Sequence, residues 1–198
     1  MIKHSCSAAL FLALAACGGG TATPDPDADT GPDPITFQTF ADGQAIASEI
    51  EDANIALGLM NPADLLPNGT ARYQGTAEIS STAGLNAVGV AGLTVEFDSE
   101  TVFGTATDFV DDTDAPVEGA LAMTEGSFDR TGSAGGDITA TVTGNFDGLT
   151  YIIVPSNISG VFYGDAEGII IIGDDVAGLV GDEATTYDIS IVTELTEE

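Results

Sequence analysis

Tryptophan is absent from the 198 residues, and the chain holds one lysine, one histidine, two arginines and two cysteines. Against three basic residues stand 32 acidic ones, a formal net charge of −29 at pH 7. Phosphate backbones repel such a chain, which excludes nucleic acid as a partner. Anionic lipid repels it too, so any membrane attachment has to be covalent or through an apolar anchor. The chain is nevertheless 43% hydrophobic, with a mean hydropathy of +0.22. That excludes the profile of a disordered polyanion and places the acid on the surface of a folded core. Glycine is plentiful, 25 residues in all, well above the usual ~7%. The composition is that of a small β-rich domain with many turns.

The N-terminus is short and basic, Met1-Ile2-Lys3-His4, and an apolar run from Ala8 to Ala16 follows. The run falls short of the ~20 residues that span a bilayer and ends in small residues, so it reads as a signal peptide, residues 1–16. Leu14-Ala15-Ala16-Cys17 resembles a bacterial lipobox, with Cys17 as the acylated residue; the alternative is an ordinary secretory signal with a chance cysteine. Acyl chains contribute about 0.8 kcal/mol per buried methylene, so two or three hold a protein on a bilayer durably. Cleavage before Cys17 removes Lys3, His4 and Cys6. The remainder has Arg72 and Arg130 as its only cations, and no histidine, lysine or free thiol. It lacks the parts for a Ser-His-Asp triad, a Cys-His pair or a Schiff-base lysine. His/Cys zinc sites, His-ligated haem and disulfides go with them. Gly18, rather than aspartate, follows the cysteine; in lipoproteins that this one resembles, that favours the outer membrane over inner-membrane retention.

Residues 17–34 form a tether, three glycines and then a Pro/Asp-rich, self-repelling stretch. Asp25, Asp27 and Asp29 are spaced like the start of a calcium loop, but an EF-hand needs glycine sixth and glutamate twelfth, where this chain has Thr30 and Thr36. Residues 35–66 contain an amphipathic helix over 42–58, whose Ile46, Ile50, Ala53 and Leu57 recur at i, i+4, i+7 and i+11. Thr39 or Asp42 caps its start and Gly58 stops it. The stripe predicts packing on the body that follows, or else a partner. From 67 to 198 the period is two. Ala71 to Ile79, Leu93 to Phe97 and Ile138 to Phe146 alternate apolar with polar, and further strands are expected near 101–109, 117–124, 148–154, 158–164, 166–173 and 185–193. Asp98-Ser99, Gly135-Gly136 and Asp147-Gly148 supply turns. That gives eight or nine strands in hairpin order, rich in bend-permitting glycine, which suits a closed barrel without edges. Ile169 to Ile172 is apolar on both faces, so the helix is expected to cover its outside.

Ala71-Arg-Tyr-Gln-Gly-Thr-Ala as an opening strand, Leu93 to Ala106 as a hairpin, and Ser159-Gly-Val-Phe-Tyr-Gly-Asp-Ala-Glu-Gly together resemble the barrel domain of transferrin-binding-protein-B-like surface lipoproteins. Phe162 to Glu167 is the most specific element. The resemblance covers residues 69–193 and implies an all-β fold, an eight-stranded antiparallel up-and-down β-barrel preceded by one amphipathic helix. It also implies a lipid-anchored place on the outer membrane of a Gram-negative bacterium, facing periplasm or medium. The chain has room for one barrel only, and no counterpart of the receptor-contacting loops is recognisable, so transferrin and iron do not follow.

Acid pairs are expected by chance at this composition. Asp111, Asp112 and Asp114, then Asp174 and Asp175, and Asp182 with Glu183, fall in predicted loops. They read as solvated loop acid first, as a cation site second, and last as a glycosidase-like pair, which needs a set carboxyl separation. Arg72 and Arg130 read as surface ion-pair partners, or alternatively as anion-recognising groups. Tyr73, Tyr151, Tyr163 and Tyr187 read as barrel packing rather than iron ligands. No cofactor is implied and no enzymatic activity is expected. The partners are the bilayer, through acylated Cys17, and a protein or small-molecule ligand of unknown identity; the alternative function is that of a structural acidic surface protein. A preformed apolar pocket with convergent polar groups would favour binding, and a filled barrel the structural role.

Overall fold

Period-two alternation buries one face of each strand, and eight such strands can close on their own apolar side. The computed structural model describes residues 34–131 and 135–197. Helix α1 (Phe40–Leu57) precedes β1 (Thr70–Ser81), β2 (Asn86–Glu96), β3 (Thr101–Asp111), the two-residue β4 (Pro116–Val117), β5 (Gly119–Phe128), β6 (Ile138–Phe146), β7 (Tyr151–Tyr163), β8 (Gly168–Val180) and β9 (Glu183–Glu197). The long strands pair antiparallel in chain order, and β1 pairs with β9. β4 adds only a short rung beside Phe109 and Val110. The molecule is the closed eight-stranded up-and-down barrel that the sequence predicts.

Side chains from all eight staves meet in one contiguous core, with Tyr73, Phe97, Phe109, Phe128, Phe146, Phe162 and Tyr187 all buried. An eight-stranded barrel is just wide enough for side chains to fill, and this one is filled. Threonines such as Thr105, Thr124 and Thr139 point outward and are exposed. Apolar inside and hydroxyl or carboxylate outside is the pattern of a barrel in water; a membrane-spanning barrel carries the opposite. Among the described residues no helix is long and apolar enough to cross a membrane.

Three strand readings need correction. Residues 148–154 and 158–164 are one strand, β7, rather than two. Pro155 has no N–H to give the ladder, and pairing with β8 lapses between Ile153 and Ser159 without ending the strand. Opposite it, β8 runs on past residue 173 to Val180 through a bulge at Gly173–Val176. Asp174 and Asp175 therefore lie within a strand, not in a loop. β2 also begins earlier than expected, at Asn86. Its register with β3 shifts between Val88 and Val90, opposite the stretch of β3 that holds Asp108 at φ 55°. Asp108, Glu125 and Asp175 are all left-handed residues at such irregularities. Acids thus do bending that the sequence assigns to glycine alone; aspartate tolerates this region because its short side chain bonds locally.

Thr39 caps α1, its Oγ1 accepting from the Asp42 N–H at 3.1 Å, and Gly58 ends it at φ 78°. The helix lies on the outside of the barrel, as expected, but on a different face. Gly43, Ala47, Ile50 and Asn54 are buried, whereas Ile46 is half-buried and Ala53 and Leu57 are exposed. Close approach decides this. Ala47 and Ile50 pack on Ile170 and Val192, and Asn54 Nδ2 donates to the Thr193 carbonyl at 3.0 Å. A Cβ on Gly168 would overlap the Asn54 amide. A face of small residues with one amide brings the helix nearer than a row of isoleucine and leucine would. The cover over the isoleucine strand is partial: Ile170 is buried, while Ile172 remains 48% exposed.

Candidate functional site

The two barrel ends differ in how the chain closes them. At one end lie the connections 97–100 and 164–167 and residues 129–131 and 135–137, with the segment from Gly58 to Gly69 bonded across them. Met60 and Leu65 insert into the core, and Phe97, Phe128 and Phe162 meet edge to face at 6.0 and 5.4 Å. Arg130 completes the seal. Its Nη2 donates to the Phe97 carbonyl at 2.6 Å, Nη1 to the Leu65 carbonyl at 3.3 Å, and Nε lies 3.0 Å from Glu100 Oε1. The guanidinium also sits 5.3 Å from the Phe128 ring centre and 5.9 Å from that of Phe97. Arg130 is therefore an ion-pair partner, as predicted, but also a part of the core's lid, which the surface reading missed. The signal for it was a lone cation two residues beyond Phe128 in an acid-rich chain.

The opposite end carries the connections 82–85, 112–118, 147–150 and 181–182. Within the core Phe109 and Phe146 meet edge to face at 5.1 Å. A concavity of about 220 Å³ at this end is lined by Leu85 and Val117, which pack on the core, and by Asn86, Asp111, Asp112, Asp147 and Tyr151 among others. Two of the acids singled out in the sequence thus reach the mouth. Asp111 Oδ1 is already occupied, accepting from the Thr113 N–H (2.9 Å), the Thr113 hydroxyl (2.7 Å) and the Ala115 N–H (2.9 Å). Those bonds, led by the Thr113 hydroxyl, hold its carboxyl below the usual range. Asp114 turns away from the mouth, and its Oδ1 accepts from the Phe40 N–H at 2.9 Å, at the first turn of α1.

Asp174 lines a different concavity, about 280 Å³, between α1 and strands β1, β8 and β9, together with Gln44, Glu78 and Asp188. Glu78 is half-buried there; burial first, and then Glu51 across the gap, raise its pKa, against a hydrogen bond from Gln44. Asp175 offers its N–H to Asp188 Oδ1 at 3.2 Å. Asp182 lies in the exposed two-residue β8–β9 turn, whereas Glu183 is already the first residue of β9, paired with Val180, and not in a loop. The candidate acids are therefore divided between sites, and among the described residues no three His, Cys, Asp or Glu stand where they could hold a metal ion. Cys17 and Asp25, Asp27 and Asp29 lie outside the described residues.

Tyr73 and Tyr187 are interior packing, and their hydroxyls donate to the carbonyls of Ala166 and Leu179, both at 2.8 Å. Tyr151 and Tyr163 are half-buried. Arg72 lies on the outer wall, in a shallow groove with Gln74, Thr94, Thr105 and Thr107. The surface also exposes apolar side chains in one short stretch: Ile55, Leu57 and Leu59 are 55%, 48% and 54% exposed.

No family model matches this chain, and no curated protein does. Among solved structures, the crystal structure of the isotype 1 transferrin binding protein B from serogroup B Neisseria meningitidis is similar, at 12% identity, with a TM-score of 0.44 over 70% of this chain and 27% of that one. The chain spans about a quarter of that protein's length. What that protein binds is not thereby a property of this one.

Proposed function

We propose that this protein is a lipid-anchored envelope protein without enzymatic activity that acts through the outer surface of its barrel, by contact with another protein. The barrel is filled by its own side chains, so a solute has no interior site of the kind that ligand-binding barrels use. The observation that carries recognition over a purely structural role is the run of Ile55, Leu57 and Leu59, each about half exposed on the outer surface. Beyond Cys17 the chain has no histidine, lysine or thiol, which supports a binding role over catalysis. The exposed apolar stretch at Ile55–Leu59 supports contact with a macromolecule. A filled barrel also suits the second reading, an acidic coat whose charge itself hydrates the surface.

Radiolabelled palmitate should enter the wild-type protein in cells and not Cys17→Ala, and protease added to intact cells should shorten the labelled protein to an N-terminal stub. A barrel that stays with membranes without Cys17 would overturn the anchor. Photo-crosslinkers placed at Leu57 and at Thr139 on whole cells separate the two functions: a discrete protein adduct supports recognition, and none at either position supports the coat.

A further inference from the structure

The sequence stripe Ile46-Ile50-Ala53-Leu57 is only half used by the barrel. Ile50 is buried, Ile46 packs half-buried against the cluster of Ala47, Ile50, Ile170 and Val192, and Tyr163 packs beside it. Ala53 and Leu57 continue the same flank of α1 into solvent. The chain then leaves the helix without leaving this surface. Gly164 donates its N–H to the Gly58 carbonyl at 2.9 Å, and Leu59 bridges to Tyr163. A Cβ on Gly164 would lie 3.2 Å from Leu57 Cδ1 and 2.8 Å from Glu167 Oε2. An apolar strip thus runs from Ile46 through Leu57 and Tyr163 to Leu59, with Glu167 against it and Asp165 exposed in the same turn.

We propose that this strip docks a basic amphipathic segment of a partner protein, apolar residues on Leu57, Leu59 and Tyr163 and lysines or arginines over the acidic rim. The inference rests on the reading that the protein works through its outer surface. Charge selects the occupant. A second copy of this chain, itself at −29, would set the rim against its own like, and like charges brought together across an interface oppose association. A basic segment meets the opposite sign around an apolar centre, which is the anatomy of a specific interface and the manner in which amphipathic helices seat in grooves.

The probe is a synthetic leucine–lysine amphipathic peptide of about 18 residues, five helical turns. Its control has the same lysines with every leucine replaced by serine. Fluorescence anisotropy follows both against the full chain carrying Cys17→Ser, in about 0.15 M salt. The leucine peptide should saturate at one per chain and bind at least about tenfold tighter than the control. The pair Leu57→Ser and Leu59→Ser should remove that advantage while Leu149→Ser, another exposed leucine, leaves it. Asp165→Asn with Glu167→Gln should weaken binding and flatten its salt dependence. Melting curves confirm that each variant folds. Equal binding of the two peptides, or indifference to Leu57 and Leu59, would overturn the proposal and leave diffuse attraction to an acidic surface. Self-association that Leu57→Ser abolishes would overturn it in favour of a second copy. Should the peptide fail while whole-cell crosslinks form elsewhere on the barrel, this site is wrong and the surface-recognition reading stands.

Discussion

The two ends of the barrel are built from the same eight strands and finished in opposite ways. One is sealed by Met60, Leu65, a triad of phenylalanines and Arg130; the other is lined by Leu85 and Val117 and carries a concavity open to water among Asp111, Asp112 and Asp147. The difference follows from where the chain spends a scarce cation. At the sealed end the carbonyls of Leu65 and Phe97 and the carboxylate of Glu100 converge at the edge of the core, and only a planar cation can satisfy all three while lying against aromatic rings. At the open end the carboxylates keep water, and Asp111 satisfies itself on its own turn.

The sealed end therefore carries the largest expected effects. Arg130→Ala should cost about 3 kcal/mol in urea unfolding, because it leaves the Phe97 and Leu65 carbonyls unpaired at the edge of the core and removes the cation from the Phe128 and Phe97 rings, while the half-exposed Glu100 returns to water. Arg130→Lys should recover little of this, since an ammonium lacks the fork and the planar stacking face. Asp112→Ala at the open end should stay within about 0.5 kcal/mol; a comparable loss there would erase the contrast. Leu65→Ala comes next, at about 2–3 kcal/mol for a buried leucine at the rim of the core. If it costs no more than Leu149→Ala, the segment across the sealed end is a loose cover.

The barrel was legible because period-two alternation is a strong signal wherever one face is dry, as from Ile138 to Phe146. What escaped the sequence lay in particular close contacts. The helix was found, with Thr39 and Gly58 at its ends, but its phase was set by Gly43, Ala47 and Asn54, which carry little hydropathy and matter because they allow approach and a bond to Thr193. The expected break between 154 and 158 is only a lapse in pairing around Pro155. Arg130 reads as a surface charge because nothing in its neighbourhood shows that Leu65 and Phe97 will present carbonyls to it across 65 and 33 residues. The acids were found, and their division among the mouth, the helix start and the helix flank was not, since that depends on which loops the closed barrel sets side by side.

Asp114 joins the open end to the helix, and its removal sharpens the comparison from the other side. Asp114→Ala takes away the acceptor for the Phe40 N–H and a negative charge near the helix N-terminus. The expected cost is about 0.5–1 kcal/mol, and Asp114→Asn should restore most of the bond without the charge. Hydrogen exchange at the first turn of α1 should quicken in the alanine variant and stay unchanged at the sealed end.

The smallest effect, in pH, separates two carboxylates of opposite character. Asp111 titrates below the usual carboxylate range, so the stability it contributes is present above its unfolded pKa and is lost as pH falls through the lowered folded value. Glu78 titrates above its usual 4.5 because burial and Glu51 oppose its charge. Its folded form takes up a proton first as pH falls, so the fold gains stability from its raised pKa down to its unfolded one. The wild type should therefore grow more stable from neutral pH toward the usual carboxylate value and weaken again below it. Diffuse repulsion among the many surface acids pushes the first limb the same way, but about 0.5 M salt screens that part. The part from Glu78 comes chiefly from desolvation, so it should survive the salt. Glu78→Gln should raise stability at neutral pH by a few tenths of a kcal/mol, roughly, since the group is half in water, and should flatten the first limb in high salt. Asp111→Asn should flatten only the acid limb. If salt alone abolishes the first limb in the wild type, Glu78 is as well solvated as the acids of the open mouth, and the cavity beside the helix differs from that mouth in shape only.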